Sequence, residues 1–306
     1  MIKQGTYPSK IMLVGEYGVV VGGSALTIPY YRFSAKIRSV KDIPPGKEKE
    51  ARQSLEYLQY LFDHIQNLPA NTFHAPPDLD RFAENLRGSW LDLDIPVGYG
   101  LGSSGAVSAA VYDLFFTGRQ NLTLEQSKND LAAIESYFHG KSSGLDALTC
   151  YTGTALRVHQ SGGIERVHFD PSLIPGDNRF FLLNSGERFD TAPLVKYFLE
   201  QMKDPAFRSA IEGEYLPLNQ KLIESLLGDM QADPSVLLKE LSGFQLRYFR
   251  KMIPEHAVDL WIEGLDTGAY CLKLNGSGGG MMLGITHRSE TESLEKRWGE
   301  KFLLIV

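Results

Sequence analysis

Residues 96–110 read PVGYGLGSSGAVSAA, with glycines at 98, 100 and 102, serines at 103 and 104, and Gly105 leading into small helix formers. Most of these side chains are too small to build an ordinary core, so the backbone itself is the feature. Gly100–Gly105 satisfies G-x-G-x-x-G, a dinucleotide-binding fingerprint that is weak when it stands alone. That fingerprint needs a preceding strand buried on both faces and a second parallel strand ending in an acidic residue about 20 positions on. Here Leu91, Leu93 and Ile95 alternate with Asp92 and Asp94, the pattern of a strand with one wet face in an antiparallel sheet. Around position 125, where the acidic strand end should fall, the sequence reads as helix. The dinucleotide reading is rejected.

What remains is a helix opening at Ser103–Ser104. Its first turn presents free N–H groups and the positive end of the helix dipole. The glycines let a phosphate approach the backbone, and the hydroxyls can reach a phosphate oxygen or a magnesium ion. The Walker A pattern is absent. The plainer alternative is a tight turn with an N-capping serine.

Outward from this stretch, KIMLV at 10–14 is a strand that ends at Gly15-Glu16-Tyr17-Gly18, and residues 32–40 alternate as a half-exposed strand. Residues 42–49 read as a polar loop, and 50–66 as an amphipathic helix. A helix is predicted over 104–116, and Thr123 with Gln126 forms a capping box for another that runs to about Phe138. Residues 139–146 read as loop, and the prolines and glycine of 170–178 mark a soft boundary between domains 1–170 and 171–306. Beyond it come helices at 191–203, 206–228, 234–251 and 255–264, then strands at 270–274 and 281–285 around a glycine run. A helix capped by Ser289 with Glu292 and a strand at 302–306 complete the chain.

The 306 residues suffice for one large or two ordinary domains. A net charge of −6 gives no nucleic-acid footprint. Cys150 and Cys271 form no disulfide framework and lack metal-type spacing, which suits a reducing compartment. Glu16 interrupts the apolar run of the N-terminus, so a signal peptide is rejected. Ile95–Tyr112 is uncharged but made of glycine, serine and alanine, with Pro96, and is a poor membrane span. The expected location is cytoplasmic.

Two acidic residues stand out. Glu135 falls on the apolar stripe of Leu124, Leu131, Ile134 and Phe138, where a carboxylate is costly unless paired or bound to a cation; the bland reading is a glutamate that snorkels to water. Asp146 lies in a serine- and glycine-rich loop, where the bland reading is a helix N-cap. Lys10 alone would be a solvated charge, and Gly276–Gly280 a hairpin or bulge.

In order, KIMLVGEYGVV (10–20), PVGYGLGSSG (96–105) and KLNGSGGG (273–280) resemble the three signature motifs of the GHMP small-molecule kinases. ESYFHGKSSGLD (135–146) is most similar to the mevalonate kinase pattern within that family. The resemblance implies an α+β fold of two domains, the first like ribosomal protein S5 domain 2 and the second ferredoxin-like, with the active site between them. It implies ATP and Mg2+ as cofactors and a small-molecule alcohol as substrate, with mevalonate leading and phosphomevalonate the nearest rival. No nucleic acid or membrane partner is expected, and a homodimer stays open.

By the same resemblance, Gly100, Leu101, Gly102, Ser103, Ser104 and Gly105 wrap the ATP phosphates, with Gly278 and Gly279 supporting them. Ser104 and Glu135 bind magnesium. Asp146 is the general base, with Lys10 beside it. Glu16, Tyr17, Thr191, Gly276 and Ser277 fall on the substrate side. The departures concern the acceptor: Tyr17 and Gly105 follow phosphomevalonate kinase habits, Ser142 stands where proline is usual, and Arg188 is displaced by one residue relative to Thr191. A catalytically silent relative that binds a metabolite is the alternative from another class. It would be expected to have lost one of Lys10, Ser104, Glu135 or Asp146, and all are present.

Overall fold

In the computed structural model, which describes residues 5–69, 71–160 and 162–305, the chain divides into two compact units drawn from interleaved segments. Unit one comprises Met1–Lys10, Pro29–Val97 and Gly102–Thr154, and unit two Ile11–Ile28, Gly98–Leu101 and Ala155–Val306. The soft boundary expected at 170 falls inside unit two. Strands β1 (Tyr7–Val14) and β2 (Ala25–Ser39) each contribute residues to both units.

Unit one continues with α1 (Glu48–Asn67), α2 (Leu79–Leu86), β3 (Ser89–Leu93), α3 (Ser103–Phe115), α4 (Leu124–His139) and α5 (Leu145–Thr152). The alternation of Leu91 and Leu93 with aspartates is that of an antiparallel strand: β3 pairs with the end of β2, from Ala35↔Leu93 to Ser39↔Ser89. Helix α3 is so rich in alanine, glycine and valine that α4 and α5 both pack closely against it. The capping box of α4 forms as expected, with Thr123 accepting from the Gln126 N–H and the Gln126 side chain accepting from the Thr123 N–H.

Unit two adds β4 (Ala155–Val158), β5 (Ile164–Val167), β6 (Asn178–Asn184), α6 (Thr191–Gln201), α7 (Pro205–Ala210), a π-helical turn (Ile211–Tyr215), α8 (Leu216–Leu227) and α9 (Pro234–Tyr248). It ends with α10 (Val258–Thr267), β7 (Tyr270–Leu274), β8 (Met281–His287), α11 (Thr291–Trp298) and β9 (Phe302–Leu304). Four strands form an antiparallel sheet in the order β7-β8-β6-β9, with α9 and α10 packed on β7.

Several expectations are corrected. The loop read at 42–49 already contains the start of α1 at Glu48. Neither Ser103 nor Ser104 caps α3: the cap is Gly102 in the left-handed region, and the serines are its first two helical residues. Asp146 is not a cap either, since Gly144 takes that place in α5. Ser289 does not cap α11, whose cap is Glu290. The last strand ends at Leu304, and Val306 lies outside the described residues. Strands β4 and β5 were too short to show a period, and β6 too uniformly apolar, so periodicity passed over them. No helix among the described residues is long and apolar enough to cross a membrane. Both cysteines are free and buried.

Candidate active site

Lys10 is the fourth residue of β1 and is 2% exposed, a costly location for an ammonium without an anion. Its anion is Asp146, in the first turn of α5: Lys10 Nζ lies 3.0 Å from Asp146 Oδ2. The Asp146 side chain keeps 33% of its surface exposed, so the carboxylate is held from one side and open on the other. Gly105 sets this proximity from α3. A Cβ there would sit 2.8 Å from Ala147 N and 2.9 Å from the Asp146 carbonyl carbon, so only glycine lets the two helices approach this closely.

Glu135, 3% exposed on α4, faces the same group of residues. Ser104 Oγ donates to its Oε1 at 2.9 Å, and Ser142 Oγ donates to its Oε2 at 2.5 Å. Burial pushes the Glu135 carboxyl up to about 7, and the neighbouring Asp146 charge adds to the rise; the two serine hydroxyls and Lys10 oppose it. A buried carboxylate with a purely structural task looks different. Asp130, also in α4 and 0% exposed, receives the backbone N–H groups of His74 and Ala75 and the Tyr112 hydroxyl. Such a ring of N–H and O–H donors stabilises the anion. Among the described residues, Glu135 has two hydroxyl donors, with the Asp146 carboxylate and the Lys10 ammonium nearby, a set that a further cation would complete.

The donors fit magnesium. Ser104 and Glu135 offer only oxygen, the ligand type a small hard cation takes, and magnesium keeps several positions for water and substrate phosphates instead of filling a protein cage. The start of α3 fits a phosphate. Its cap, Gly102, gives it no side-chain hydrogen bond, in contrast to the capping box of α4, and a helix start of this kind suits an anion.

In the metal-free protein the raised carboxyl has a signed consequence. The folded state holds the Glu135 proton to higher pH than the unfolded chain does. The penalty is therefore absent below about pH 4.5 and fully developed above about 7. Glu135→Gln, which removes the charge and keeps the shape, is expected to raise Tm by a few degrees at pH 8 and hardly at all at pH 5. Scanning fluorimetry without divalent cations checks this, and an unchanged Tm at pH 8 contradicts it.

Unit two contains the other motif residues. The Glu16 carboxylate, expected on the substrate side, is buried against Lys273 of β7; both side chains are 0% exposed. Lys273 Nζ also donates to Leu274 O at 2.6 Å and Met12 O at 3.3 Å. Glu16 thus supports the turn after β1 from inside. Tyr17 is 4% exposed with φ of 58°, and its hydroxyl donates to the Ser277 carbonyl. Its ring packs against Phe198 and Phe249, at centroid distances of 4.9 and 5.3 Å. Thr191 and Ser277 hydroxyls lie 3.0 Å apart, with Thr191 exposed.

Asn275, which sequence reasoning did not single out, is 0% exposed and ties two motifs together. Its Oδ1 accepts the Met12 N–H at 3.2 Å, and its Nδ2 donates to Gly100 O at 3.3 Å. At Gly100, φ is +74° and a Cβ would meet Asn275 O at 2.5 Å, so no other residue fits there. Gly280 closes against the same segment, with Met281 N donating to Tyr99 O at 3.1 Å. The glycine run at 276–280 therefore braces residues 99–100, as the bend of a β7–β8 hairpin. The signal for Lys273 was present in YCLKL, a charge inside a strand otherwise read as core. Nothing in the spacing marked Asn275.

Comparison with known proteins finds a likeness to one family. Residues 78–154 match the family model for the GHMP kinases N terminal domain, a segment that contains the α3 loop, Glu135 and Asp146. In that segment the chain is similar to the GHMP kinases. It is 26% identical over 294 residues to the mevalonate kinase of Pyrococcus abyssi (strain GE5 / Orsay), covering 89% of this chain and 85% of that protein. Its fold matches the L. major mevalonate kinase solved in complex with R-mevalonate, with a TM-score of 0.64 at 16% identity over 99% of this chain and 96% of the other. It also matches the Streptococcus pneumoniae phosphomevalonate kinase, with a TM-score of 0.61 at 17% identity over 100% and 98% of the two chains. The α+β fold of this GHMP kinase relative is thereby that of the family's solved structures.

Proposed function

We propose that this GHMP kinase relative is an ATP- and magnesium-dependent small-molecule kinase that phosphorylates the hydroxyl of mevalonate to give 5-phosphomevalonate. The observation that carries the reading is the Lys10–Asp146 pair at 3.0 Å, with Asp146 partly exposed and Glu135–Ser104 in the same unit. Phosphoryl transfer asks for positioning and charge neutralisation more than covalent chemistry. Asp146 accepts the proton of the acceptor hydroxyl. Lys10 holds that carboxylate in one orientation from its buried side. The N–H groups opening α3, with Gly100, Leu101, Gly102, Ser103, Ser104 and Gly105, cradle the nucleotide phosphates, supported by Gly278 and Gly279.

Ser104 and Glu135 would hold magnesium, which when bound neutralises charge on the transferring phosphoryl group. Thr191, Ser277, Gly276 and Tyr17 are assigned to the acceptor side, with Glu16 acting behind them through Lys273. The P. abyssi relative, named a mevalonate kinase, supports the acceptor. Tyr17 and Gly105 favour phosphomevalonate as the second reading.

ADP release with Mg·ATP and a panel of mevalonate, phosphomevalonate, galactose and homoserine tests this. Mevalonate is expected to give the highest kcat/KM, by at least about tenfold, a difference of ~1.4 kcal/mol in the barrier. Turnover with phosphomevalonate alone would move the acceptor and leave the chemistry intact. No turnover with any alcohol, together with Mg·ATP-dependent thermal stabilisation, would favour the silent relative.

A further inference from the structure

Ser142 makes two hydrogen bonds that proline, the residue usual at this position of the pattern, cannot make. Its Oγ donates to Glu135 Oε2 at 2.5 Å and accepts the Gly144 N–H at 2.9 Å. The first partner sits near the end of α4. The second is the cap of α5, two residues before Asp146. A hydroxyl has one proton to give and lone pairs to accept with, and this arrangement uses both capacities. Ser104 occupies the other carboxylate oxygen, Oε1, at 2.9 Å. The terminal torsion of a glutamate is otherwise broad, so the two serines together fix the carboxylate plane.

We infer that Ser142 is a positioning residue: its hydroxyl orients the Glu135 carboxylate for the divalent cation and ties that orientation to the start of the helix bearing Asp146. The inference rests on the reading of Glu135 as a magnesium ligand. A group that orients a ligand is worth about 10–100-fold in metal affinity. Without the hydroxyl, Glu135 loses a donor and the Gly144 N–H loses this acceptor, so cation binding should suffer more than the proton transfer at Asp146.

The test measures Mn2+ binding to the protein with ADP by electron paramagnetic resonance, alongside Mg2+ titrations of activity. Ser142→Ala is expected to weaken Mn2+ about 10-fold and to raise the KM for Mg2+ by a larger factor than it lowers kcat. The near-isosteric pair Ser142→Thr and Ser142→Val separates hydroxyl from bulk: threonine should bind Mn2+ like the wild type, valine like alanine. This pair still decides the matter if the alanine variant folds poorly. Wild-type Mn2+ affinity in the alanine and valine variants, or equal losses in threonine and valine, overturns the inference while leaving Glu135 as a ligand. Absence of Mn2+ binding in the wild-type protein with ADP would instead overturn the ligand reading itself.

Discussion

Asp146→Asn is expected to lower kcat by about 10³-fold, within the range that general acid–base catalysis supplies, while the protein still binds Mg·ATP. The amide keeps the size of the carboxylate and a carbonyl oxygen to face Lys10 Nζ, now 3.0 Å from Asp146 Oδ2. It cannot take up a proton from an alcohol. Because the ammonium of Lys10 is buried and loses its anion, the variant should also lose some stability, so turnover and binding are compared well below its Tm. The check is single-turnover ADP formation together with thermal stabilisation by Mg·ATP. A large loss of kcat with an undiminished nucleotide-induced Tm shift is the expected pair of results. Near-wild-type turnover would remove Asp146 as the base, and loss of the Tm shift would mean that the residue serves binding instead.

Lys273→Met should produce the largest loss of stability. Glu16 and Lys273 are both fully buried, and the ammonium also satisfies the carbonyls of Met12 and Leu274. Removing it takes away the cation facing a buried carboxylate, a change that typically costs ~3–5 kcal/mol. In a protein of this size that corresponds to a fall in Tm on the order of 10 °C. The double variant Glu16→Gln, Lys273→Met removes both charges, and should recover more than half of the loss, because replacing a whole buried pair is often close to neutral. Scanning calorimetry of the wild type, both single variants and the double variant measures the coupling. A double variant no more stable than Lys273→Met would show that lost packing, and not the ion pair, accounts for the effect.

The sequence was most informative where one local rule acted alone. The alternation of Leu91 and Leu93 with aspartates marked an antiparallel strand, and Thr123 with Gln126 marked the start of α4. The order of the three glycine-rich motifs marked the family. Glu135 was visible as a charge on an apolar stripe, although its position did not say what would face it. Where several contacts determine a position, the local rules failed. Serines 103 and 104 looked like caps, but the cap is Gly102, because the chain enters α3 through the left-handed region. Glu16 was expected on the substrate side, whereas its carboxylate is buried against Lys273, 257 positions away.

By itself, the sequence determined most of the elements of this protein, strands β4 to β6 excepted, and the list of residues with the right chemistry: Lys10, Ser104, Glu135 and Asp146. Periodicity, capping and motif order are properties of the order of residues along the chain. Only the tertiary structure decided which of these residues meet and what each is held by. Lys10 faces Asp146, Ser142 and Ser104 share Glu135, and Asn275 braces Gly100. Those pairings follow from the cost of burying a polar group without a partner, a cost that is met across the fold by residues the local sequence gives no reason to connect.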